Sequence, residues 1–298
     1  MKEIRCVIGK DEAGKTIQSF ALKTEKISAS SLRSLKFSGG ILLNGLPAHT
    51  DKTLHEGDEL RFCFRENEKA YLPAHDIPVH IVYEDDDIMV IDKQAPLPTM
   101  YSKKQGGATL ETGLYHHLHC PSDFLFRPVN RLDKGTSGLM VVAKHAHAQQ
   151  LMQRMLHTDR FIREYTALCV GKMPSAYGRI SAPIAKEEGT IKRIVHPSGK
   201  ASTTHYQVLK EGEGLSLIKL RLETGRTHQI RGHLSHCGCP ILGDYVYGKE
   251  DKRFSGRFAL HSSYLSFVQP ISGKEVSLIS KVPDAWYTML ETVKGGSL

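Results

Sequence analysis

An uninterrupted apolar run, Leu139 to Ala143, directly follows five residues with turn-forming character, Lys134 to Gly138. A short apolar run bounded by turn residues is typical of a strand buried in a sheet. Asp133 stands immediately before that turn, so we expect its carboxylate at the edge of a rigid sheet, facing solvent or a substrate. In the alternative interpretation, Asp133 only caps the turn through its own backbone.

The length and hydrophobic content of the chain predict one or two domains. The chain has 298 residues, of which 40% are hydrophobic, and this is enough to bury at least one large core. Residues 69–78 contain Pro73 and Pro78 and show little periodicity, which is typical of a linker. We therefore predict an N-terminal domain at residues 1–68 and a larger domain at residues 79–298.

The predicted N-terminal domain contains a short helix and two strands. The helix is expected at Ser28 to Lys36, and a strand at Ile41 to Asn44 ends in Asn44-Gly45, a strong signal for a tight turn. A second strand is expected at Glu59 to Phe64, where apolar and polar residues alternate. This order resembles the small RNA-binding domain named after ribosomal protein S-four, which implies an α/β module that binds RNA. The alternative is a generic β-rich appendage that braces its neighbour.

Periodicity in the larger domain predicts strands interrupted by single helices. Apolar runs and alternation predict strands at Ile88 to Ile91, Glu164 to Val170 and Ile218 to Leu222. Helical spacing predicts helices at Ala146 to Leu156, Arg226 to Cys237 and Asp284 to Lys294, with Thr227 as a possible N-cap of the second helix. These elements indicate an α+β fold in which helices pack on a mixed sheet.

The composition bears on partners and location. A formal net charge of +8 favours a polyanionic partner, because clustered Lys and Arg release counterions when they meet phosphates. Six scattered cysteines without paired spacing predict reduced thiols rather than a disulfide framework. The first residues do not read as a signal peptide, and no stretch approaches the roughly 20 apolar residues that span a bilayer. A cytoplasmic protein that binds no membrane is therefore expected.

Three segments of the larger domain match the motifs of one known enzyme family. The family signature H-R-L-D-x-x-T-S-G is matched by Asn130 to Gly138 at every defined position except the first. A basic residue and a Tyr with one residue between them are matched by Arg163 and Tyr165. The core G-R-T-H-Q-I-R is matched by Gly225 to Arg231, P-I-L-G-D by Pro240 to Asp244, and Y-G by Tyr247-Gly248. Together these segments resemble the RluA-like family of RNA pseudouridine synthases. The resemblance covers nearly all of the larger domain and implies the pseudouridine synthase fold, with a largely antiparallel sheet.

The resemblance implies that the chain isomerises uridine in RNA to pseudouridine, and it assigns a role to individual residues. Asp133 is the expected catalytic carboxylate, acting either as a nucleophile or as a base on the ribose. Arg231 is the cation expected to compensate the negative charge of Asp133 when that carboxylate is buried beneath an uncharged base. Ile230 is expected to form an apolar floor for uracil, and Tyr165 to stack on the base and help to remove a proton from its carbon. Arg131 is the expected wedge that offsets the cost of extruding the nucleotide from RNA.

Each of these residues also has a structural interpretation. Arg231 could bind solvent or phosphate on a helix surface, and Arg131 could simply neutralise Asp133. Ile230 and Tyr165 could be ordinary core residues.

Further basic residues are candidate contacts to the RNA backbone, and two segments depart from the family pattern. The expected phosphate contacts are Arg226, Lys192, Arg193 and Lys144. The usual K-P-x-G stretch is replaced by Lys93 to Pro96, and Asn130 stands where the family has His. These departures affect the expected loop geometry and substrate choice more than the expected reaction.

Three other functions compete with this one. A metal enzyme is suggested by two groups of His and Cys, at residues 116–120 and 233–239, but their spacing fits no standard zinc pattern. A catalytically inactive RNA-binding or ribosome-assembly factor of the same fold is the second alternative. A glycosidase is the third, although such hydrolases generally need a second carboxylate. We predict a monomeric RNA-modifying enzyme without metal or organic cofactor. Ribosomal RNA is its first candidate substrate, and transfer RNA is the second.

Overall fold

The chain folds as two compact units. Most backbone contacts fall within one unit or the other, and the boundary lies between Leu72 and Pro73. The structure is a computed structural model and describes residues 2–25, 27, 29–64 and 72–291. Of the predicted linker, residues 69–71 lie outside the described residues, and residues 73–78 belong to the second unit, where they form neither helix nor strand. The domain limits at residues 68 and 79 stay a prediction.

The described part of the N-terminal unit consists of two helices and a four-stranded antiparallel sheet in the order β1-β4-β2-β3. Its elements are β1 (Lys2–Val7), α1 (Ile17–Lys23), α2 (Ala29–Ser38), β2 (Ile41–Leu43), β3 (Leu46–Pro47) and β4 (Glu59–Phe64). The predicted helix forms as α2, with Ser28 outside the described residues, and the strand predicted at Glu59 to Phe64 is confirmed. The sequence pattern did not predict β1 or α1.

Alternation along β4 gives this small unit its core. Leu60 and Phe62 are fully buried in one apolar cluster with side chains of α1 and α2. The predicted turn joins β2 to β3, with Asn44 at a φ of 51° and Gly45 at 78°, left-handed values that these residues tolerate best. Asn44 Nδ2 donates to Asp58 Oδ1 at 2.8 Å, which fixes the turn to the start of β4.

The second unit is larger and rich in strands. Its elements are β5 (His80–Glu84), β6 (Ile88–Lys93), α3 (Leu110–His117), β7 (Ser137–Ala143), α4 (Ala146–Met155), β8 (Phe161–Val170), β9 (Tyr177–Ser181), β10 (Ile184–Lys186), β11 (Arg193–Val195), β12 (Thr203–Gly212), β13 (Leu215–Leu222), α5 (Gln229–His236), a 3-10 helix (Lys252–Phe254), β14 (Leu260–Val268), β15 (Glu275–Ile279) and α6 (Asp284–Thr288). Among the residues that the structure describes, no helix combines the length and apolar character needed to cross a bilayer.

Nine of these strands form one sheet, in the order β5-β6-β7-β14-β8-β13-β12-β9, with β15 paired to β14. The strand pairs of this sheet are antiparallel except for β7 with β14, which is parallel. Strands β10 and β11 form a separate hairpin. The predicted α+β class, with a mixed and largely antiparallel sheet, is confirmed.

The sheet is buried on both faces around β6 and β7. Ile88 and Val90 belong to an apolar cluster with side chains of α4, while Met89 and Ile91 belong to a second cluster with side chains of α3 and α5. Because successive side chains point to opposite faces of a strand, burial on both faces requires an uninterrupted apolar run. The run Leu139 to Ala143 meets the same requirement, and its prediction as a buried strand is confirmed by β7.

The helix predicted at Arg226 to Cys237 is shorter than expected, and its predicted N-cap is wrong. Helix α5 begins at Gln229, and its N-cap is His228 rather than Thr227, with a left-handed φ of 55° and no side-chain capping bond. Gln229 Oε1 instead accepts from the Arg226 backbone N–H at 3.0 Å. The first side chain of the helix therefore folds back and fixes the preceding loop.

The predicted last helix is also shorter than Asp284 to Lys294. Helix α6 ends at Thr288, and residues 292–294 lie outside the described residues. Beyond the helix, the N–H of Leu290 bonds to the carbonyl of Tyr287 at 3.1 Å, and the N–H of Glu291 to that of Thr288 at 3.2 Å. These tighter i→i+3 bonds end the α-helix.

Strand β14 joins the two central strands of the sheet. Ser262 pairs with Gly138 of β7 on one side and with Tyr165 of β8 on the other. The approach is close, because a Cβ on Gly138 would lie 2.3 Å from the Ser262 carbonyl oxygen, and Gly138 has a φ of 101°. Glycine alone fits such a position without strain. The turn that carries Asp133 and the strand that carries Tyr165 are thereby held one strand apart.

Gly138→Ala is expected to lower the free energy of unfolding by about 3 kcal/mol or more, because it adds a backbone clash to the cost of a left-handed alanine. Gly273→Ala is the matched control, since Gly273 has a φ of 73° but no heavy atom within 4 Å of an added Cβ. The control should cost only about 1 kcal/mol. Urea denaturation followed by circular dichroism measures both values, and equal losses would contradict the close approach of β7 and β14.

Candidate active site

A cavity of about 600 Å³ lies next to the junction of β7, β14 and β8. Most of its lining comes from the loop at residues 128–136, from β8, and from residues 222–231. Of the seven site residues predicted from the sequence, six line this cavity: Arg131, Asp133, Tyr165, Arg226, Ile230 and Arg231. The structure therefore brings together residues that are up to 100 positions apart in the chain.

Asp133 lies in the turn that precedes β7, and its side chain is 30% exposed. The Thr136 N–H donates to the Asp133 carbonyl at 3.1 Å and closes the turn. Asn130 fixes the loop from the other side, because its Oδ1 accepts from the Val141 N–H of β7 at 3.0 Å. Among the described residues, the Asp133 carboxylate accepts from no backbone N–H, so the turn-cap alternative is not supported.

Arg231 projects from α5 and is only 3% exposed, so it is not a surface arginine. Its Nη1 lies 3.1 Å from Asp133 Oδ2, while its Nε and Nη2 donate to the two carboxylate oxygens of Asp244 at 2.7 and 2.9 Å. The rings of Tyr247 and Phe258 lie 4.9 and 4.4 Å from the guanidinium carbon. One buried cation is thus shared by two carboxylates and held in a fixed plane.

Asp244 is fully buried and completes this arrangement. Its Oδ1 also accepts from the backbone N–H groups of Val246 and Tyr247, at 3.0 and 3.3 Å. Burial lowers the pKa of Arg231, but the hydrogen bonds and charge of Asp244, together with Asp133, raise that pKa above its usual value. Removing one partner from a buried pair of this kind costs roughly 3–5 kcal/mol. Asp244 therefore fixes the cation that faces Asp133.

His228 is a second group beside the Asp133 carboxylate. Its Nε2 lies 3.7 Å from Asp133 Oδ2, and its Nδ1 lies 3.0 Å from the Tyr247 hydroxyl. That hydroxyl accepts from the Arg193 N–H at 2.7 Å, so it can donate its own hydrogen to Nδ1 and leave the Nε2 hydrogen directed at Asp133. Burial is the main cause that lowers the pKa of His228, which favours a neutral ring near neutral pH.

Tyr165 and Ile230 form an apolar part of the cavity wall. Each is 5% exposed, and both also belong to the larger apolar cluster of the unit. Burial raises the pKa of the Tyr165 hydroxyl, and the charge of Arg163 opposes this rise. The hydroxyl therefore stays protonated near neutral pH. Each of these two side chains packs in the core and also lines the cavity, so the core and cavity interpretations are compatible.

The predicted wedge, Arg131, and two of the predicted phosphate contacts, Arg226 and Lys144, are placed differently from one another. Arg131 and Arg226 are exposed at the cavity. Within the described residues, Arg131 forms no ion pair with Asp133. Lys144 does not line the cavity, and its Nζ pairs with Glu84 at 2.8 Å.

Lys93, in the segment that departs from the family pattern, is 1% exposed. Its Nζ donates to the carbonyl oxygens of Leu97 and Gln94, at 2.8 and 3.0 Å. Burial lowers the pKa of Lys93 to about 7, against the opposing charge of Asp133. Lys93 thus ties its own strand to the loop that leads to Pro98, which lines the cavity.

The described residues contain no group of three His, Cys, Asp or Glu side chains arranged to hold a metal ion. His233 belongs to the second group of His and Cys. Its two ring nitrogens are hydrogen-bonded to the Thr204 hydroxyl and the Ala182 carbonyl, each at 2.9 Å. Asp133 is the only acidic side chain among the described residues that line the cavity. The second carboxylate that a glycosidase generally needs is not found there.

Four residues in or near the site were given no role from the sequence: Lys93, His228, Asp244 and Tyr247. His228 and Asp244 lie within the segments G-R-T-H-Q-I-R and P-I-L-G-D, which is the one signal that could have found them. Nothing in their spacing shows that one faces Asp133 and the other holds Arg231.

Comparisons with known proteins identify the family to which the chain belongs. The RNA pseudouridylate synthase family matches residues 87–236. The uncharacterized RNA pseudouridine synthase YjbO of Bacillus subtilis is 34% identical over 273 residues, covering 90% of this chain and 95% of that protein. The ribosomal large subunit pseudouridine synthase D of Vibrio parahaemolyticus is 36% identical over 298 residues, covering 93% of this chain and 90% of that protein.

A solved structure, human RNA Pseudouridylate Synthase Domain Containing 1, superposes with a TM-score of 0.56 and 27% identity. The match covers 70% of this chain and 85% of the human one. The chain belongs to the family of RNA pseudouridylate synthases, which are isomerases. The predicted family, enzyme class and fold are confirmed.

Lys93→Met is expected to change the dependence of stability on pH. The folded pKa of about 7 lies below the ordinary 10.5 of lysine, so the unfolded chain binds more protons between these values and the wild type gains stability as pH rises. The wild type should therefore gain on the order of 3 kcal/mol relative to the variant between pH 7 and pH 10.

Urea denaturation across that pH range measures the difference in free energy of unfolding. Lys274→Met, at an exposed position, is the control and should show little dependence on pH. A constant difference between the wild type and Lys93→Met would contradict the depressed pKa.

Proposed function

We propose that this protein isomerises specific uridines of ribosomal RNA to pseudouridine, with the large-subunit RNA as the first candidate substrate and transfer RNA as the second. Family membership supports the reaction. The relative named as a ribosomal large subunit pseudouridine synthase supports the choice of RNA, and the net charge of +8 supports a polyanionic partner. We further propose a cytoplasmic monomer that needs neither metal nor organic cofactor, since the reaction neither adds nor removes atoms.

The observation that carries this proposal is the contact between Asp133 and Arg231. A partly exposed carboxylate reaches the cavity while a buried guanidinium, fixed by Asp244, lies 3.1 Å behind it. When RNA covers the cavity and displaces water, the charge of Asp133 remains compensated. A carboxylate in this state can attack the ribose as a nucleophile or remove a ribose proton as a base.

The other groups of the cavity fit the remaining steps. The bond from the ribose to the base nitrogen breaks, the uracil turns, and a bond from the ribose to a base carbon forms. That carbon loses a proton and the nitrogen gains one, so the atoms balance. We assign to Tyr165 the stacking of the base and help with this proton, and to Ile230 the apolar floor beneath the uracil.

RNA binding is divided between the two units in this proposal. Arg131 and Arg226, exposed at the cavity, contact the extruded nucleotide and its neighbours, with Arg131 as the wedge. Lys144 can reach only RNA that extends beyond the cavity. Residues 1–68 act as the S-four-like RNA-binding domain.

A catalytically inactive factor of the same fold is the alternative function. Incubating the protein with ribosomal RNA labelled with tritium at carbon 5 of uracil distinguishes the two, because isomerisation releases the label to water and binding alone does not. Mapping pseudouridines in cells with and without the gene then identifies the target uridine.

Asp133→Ala is expected to abolish tritium release, because the single carboxylate of the cavity is lost. RNA affinity should stay within about tenfold, or about 1.4 kcal/mol, since phosphate contacts dominate binding. Asp86→Ala, at an exposed turn, is the control and should behave as the wild type does. Turnover by the Asp133→Ala variant at the wild-type rate would refute the catalytic assignment.

Tyr165→Phe should separate stacking from proton transfer, because it keeps the ring and removes the hydroxyl. We expect RNA affinity to stay within about twofold while the rate of tritium release falls by about 100-fold or more, a typical contribution of general acid–base catalysis. The rate is measured at saturating RNA in single-turnover conditions. An unchanged rate would leave the hydroxyl without a role in the reaction.

A further inference from the structure

A second buried arginine, Arg163, lines the same cavity as Arg231 but lacks its partners. The two are 4% and 3% exposed. Arg231 is bonded to Asp133 and Asp244, whereas no carboxylate of the described residues lies within 4.0 Å of Arg163. An unpaired charge removed from water costs several kcal/mol, so a buried cation of this kind normally has an anionic partner.

The donors of Arg163 are largely unused. Its Nη2 donates to the Leu156 carbonyl at 3.2 Å, and its guanidinium lies 5.8 Å from the centre of the Phe161 ring. Its Nε is buried and has no hydrogen-bond partner among the described residues. A guanidinium offers five N–H donors, and this one makes a single bond to a neutral acceptor. Such an unsatisfied buried group requires an explanation, and its place in a substrate cavity suggests that the substrate supplies the acceptor.

The position of Arg163 relative to Tyr165 indicates which part of the substrate it meets. The two side chains point to the same face of β8, two residues and hence about 7 Å apart along the strand. The ribose and phosphate of one nucleotide can extend over that separation when its base lies against Tyr165. On the other side, Gly225 leaves room, since a Cβ there would lie 3.3 Å from Arg163 Nη1.

We propose that Arg163 binds a backbone phosphate of the nucleotide whose base is isomerised, an inference that rests on the proposed function. A phosphate supplies the missing negative charge and acceptor oxygens for two parallel bonds from the guanidinium. A uracil carbonyl would satisfy a donor but leave the buried charge uncompensated. Arg131 and Arg226, by contrast, are exposed and contact phosphates that salt can screen.

This contact gives the enzyme a way to recognise the extruded nucleotide without reading sequence, because phosphates position RNA and bases specify it. It also predicts that the anchoring phosphate is as important as the base for productive binding. Since the guanidinium is buried, its contribution should persist at ionic strengths that weaken exposed contacts.

The test uses synthetic RNA oligonucleotides that carry the mapped target uridine. In two of them a neutral methylphosphonate replaces the phosphate on the 5′ or the 3′ side of that uridine. For the wild type, one of the two replacements should lower kcat/KM for tritium release, and the affinity measured by fluorescence anisotropy, by about 10-fold to 100-fold. The other should have a smaller effect.

The same oligonucleotides are then offered to Arg163→Gln and Arg163→Lys. For Arg163→Gln the sensitive replacement should lose its effect, to within about twofold, at both low and high salt, and Arg163→Lys should give an intermediate result. Arg253→Gln is the matched control, because Arg253 is exposed and already paired with Asp251. It should retain the full wild-type sensitivity.

A merely structural role of Arg163 would lower stability and turnover for all oligonucleotides alike and leave the sensitivity to each phosphate unchanged. That result would overturn the proposal, as would a wild type insensitive to both replacements. If Arg163→Gln does not fold, as judged by circular dichroism, the Arg163→Lys variant and the wild-type comparison still decide. A wild type that binds RNA but releases no tritium would refute the proposed function, while the binding measurements would still decide the role of Arg163.

Discussion

The guanidinium of Arg231, shared between Asp133 and Asp244, is the contact on which the geometry of the cavity depends. The two carboxylates differ in burial, since Asp244 is fully buried and Asp133 is partly exposed. Asp244 uses both oxygens on the guanidinium and on nearby backbone N–H groups. Asp133 bonds the same cation through Oδ2, and its Oδ1 has no hydrogen bond or ion pair among the residues that the structure describes. Burial therefore separates a structural carboxylate from one that can meet a substrate.

The two buried arginines of the cavity show how the surroundings of one residue type determine its use. Arg231 is enclosed by two carboxylates and two aromatic rings, and its charge is compensated within the protein. Arg163 has one carbonyl and one aromatic ring. A cation of the first kind stabilises the folded state and orients its partner, whereas a cation of the second kind gains most from an anion that arrives with the substrate.

Much of the fold could be predicted from the sequence because it depends on local periodicity. Strand β7 follows from an apolar run, β4 from alternation, and α4 from helical spacing, with limits within a few residues of those predicted. The N-cap of α5 could not be predicted in this way. Thr227 is a good capping residue, but the side chain of Gln229 folds back onto the Arg226 backbone and the chain enters the helix one residue later.

The residues of the site could be named only because the segments resembled a known family, since their contacts are not local. Asp133 and Arg231 are 98 residues apart in the chain. No spacing rule indicates that Asp244 would return to α5, or that Lys144 would meet Glu84. The latter contact depends on three successive antiparallel strands, β5, β6 and β7. Glu84 ends β5 opposite Met89 of β6, and Lys144 follows Ala143, which lies opposite Ile88.

The position of β14 between β7 and β8 has a consequence for how enzymes of this architecture can diversify. Hydrogen-bonded strands lie about 4.8 Å apart whatever their sequence, so the interval between Tyr165 and the start of β7, which directly follows the Asp133 turn, is set by backbone pairing. Insertions, deletions or exchanges at the periphery, such as at the β10–β11 hairpin, leave that interval unchanged. Selection or design can thus alter the periphery while Tyr165 and the start of β7 keep a constant separation.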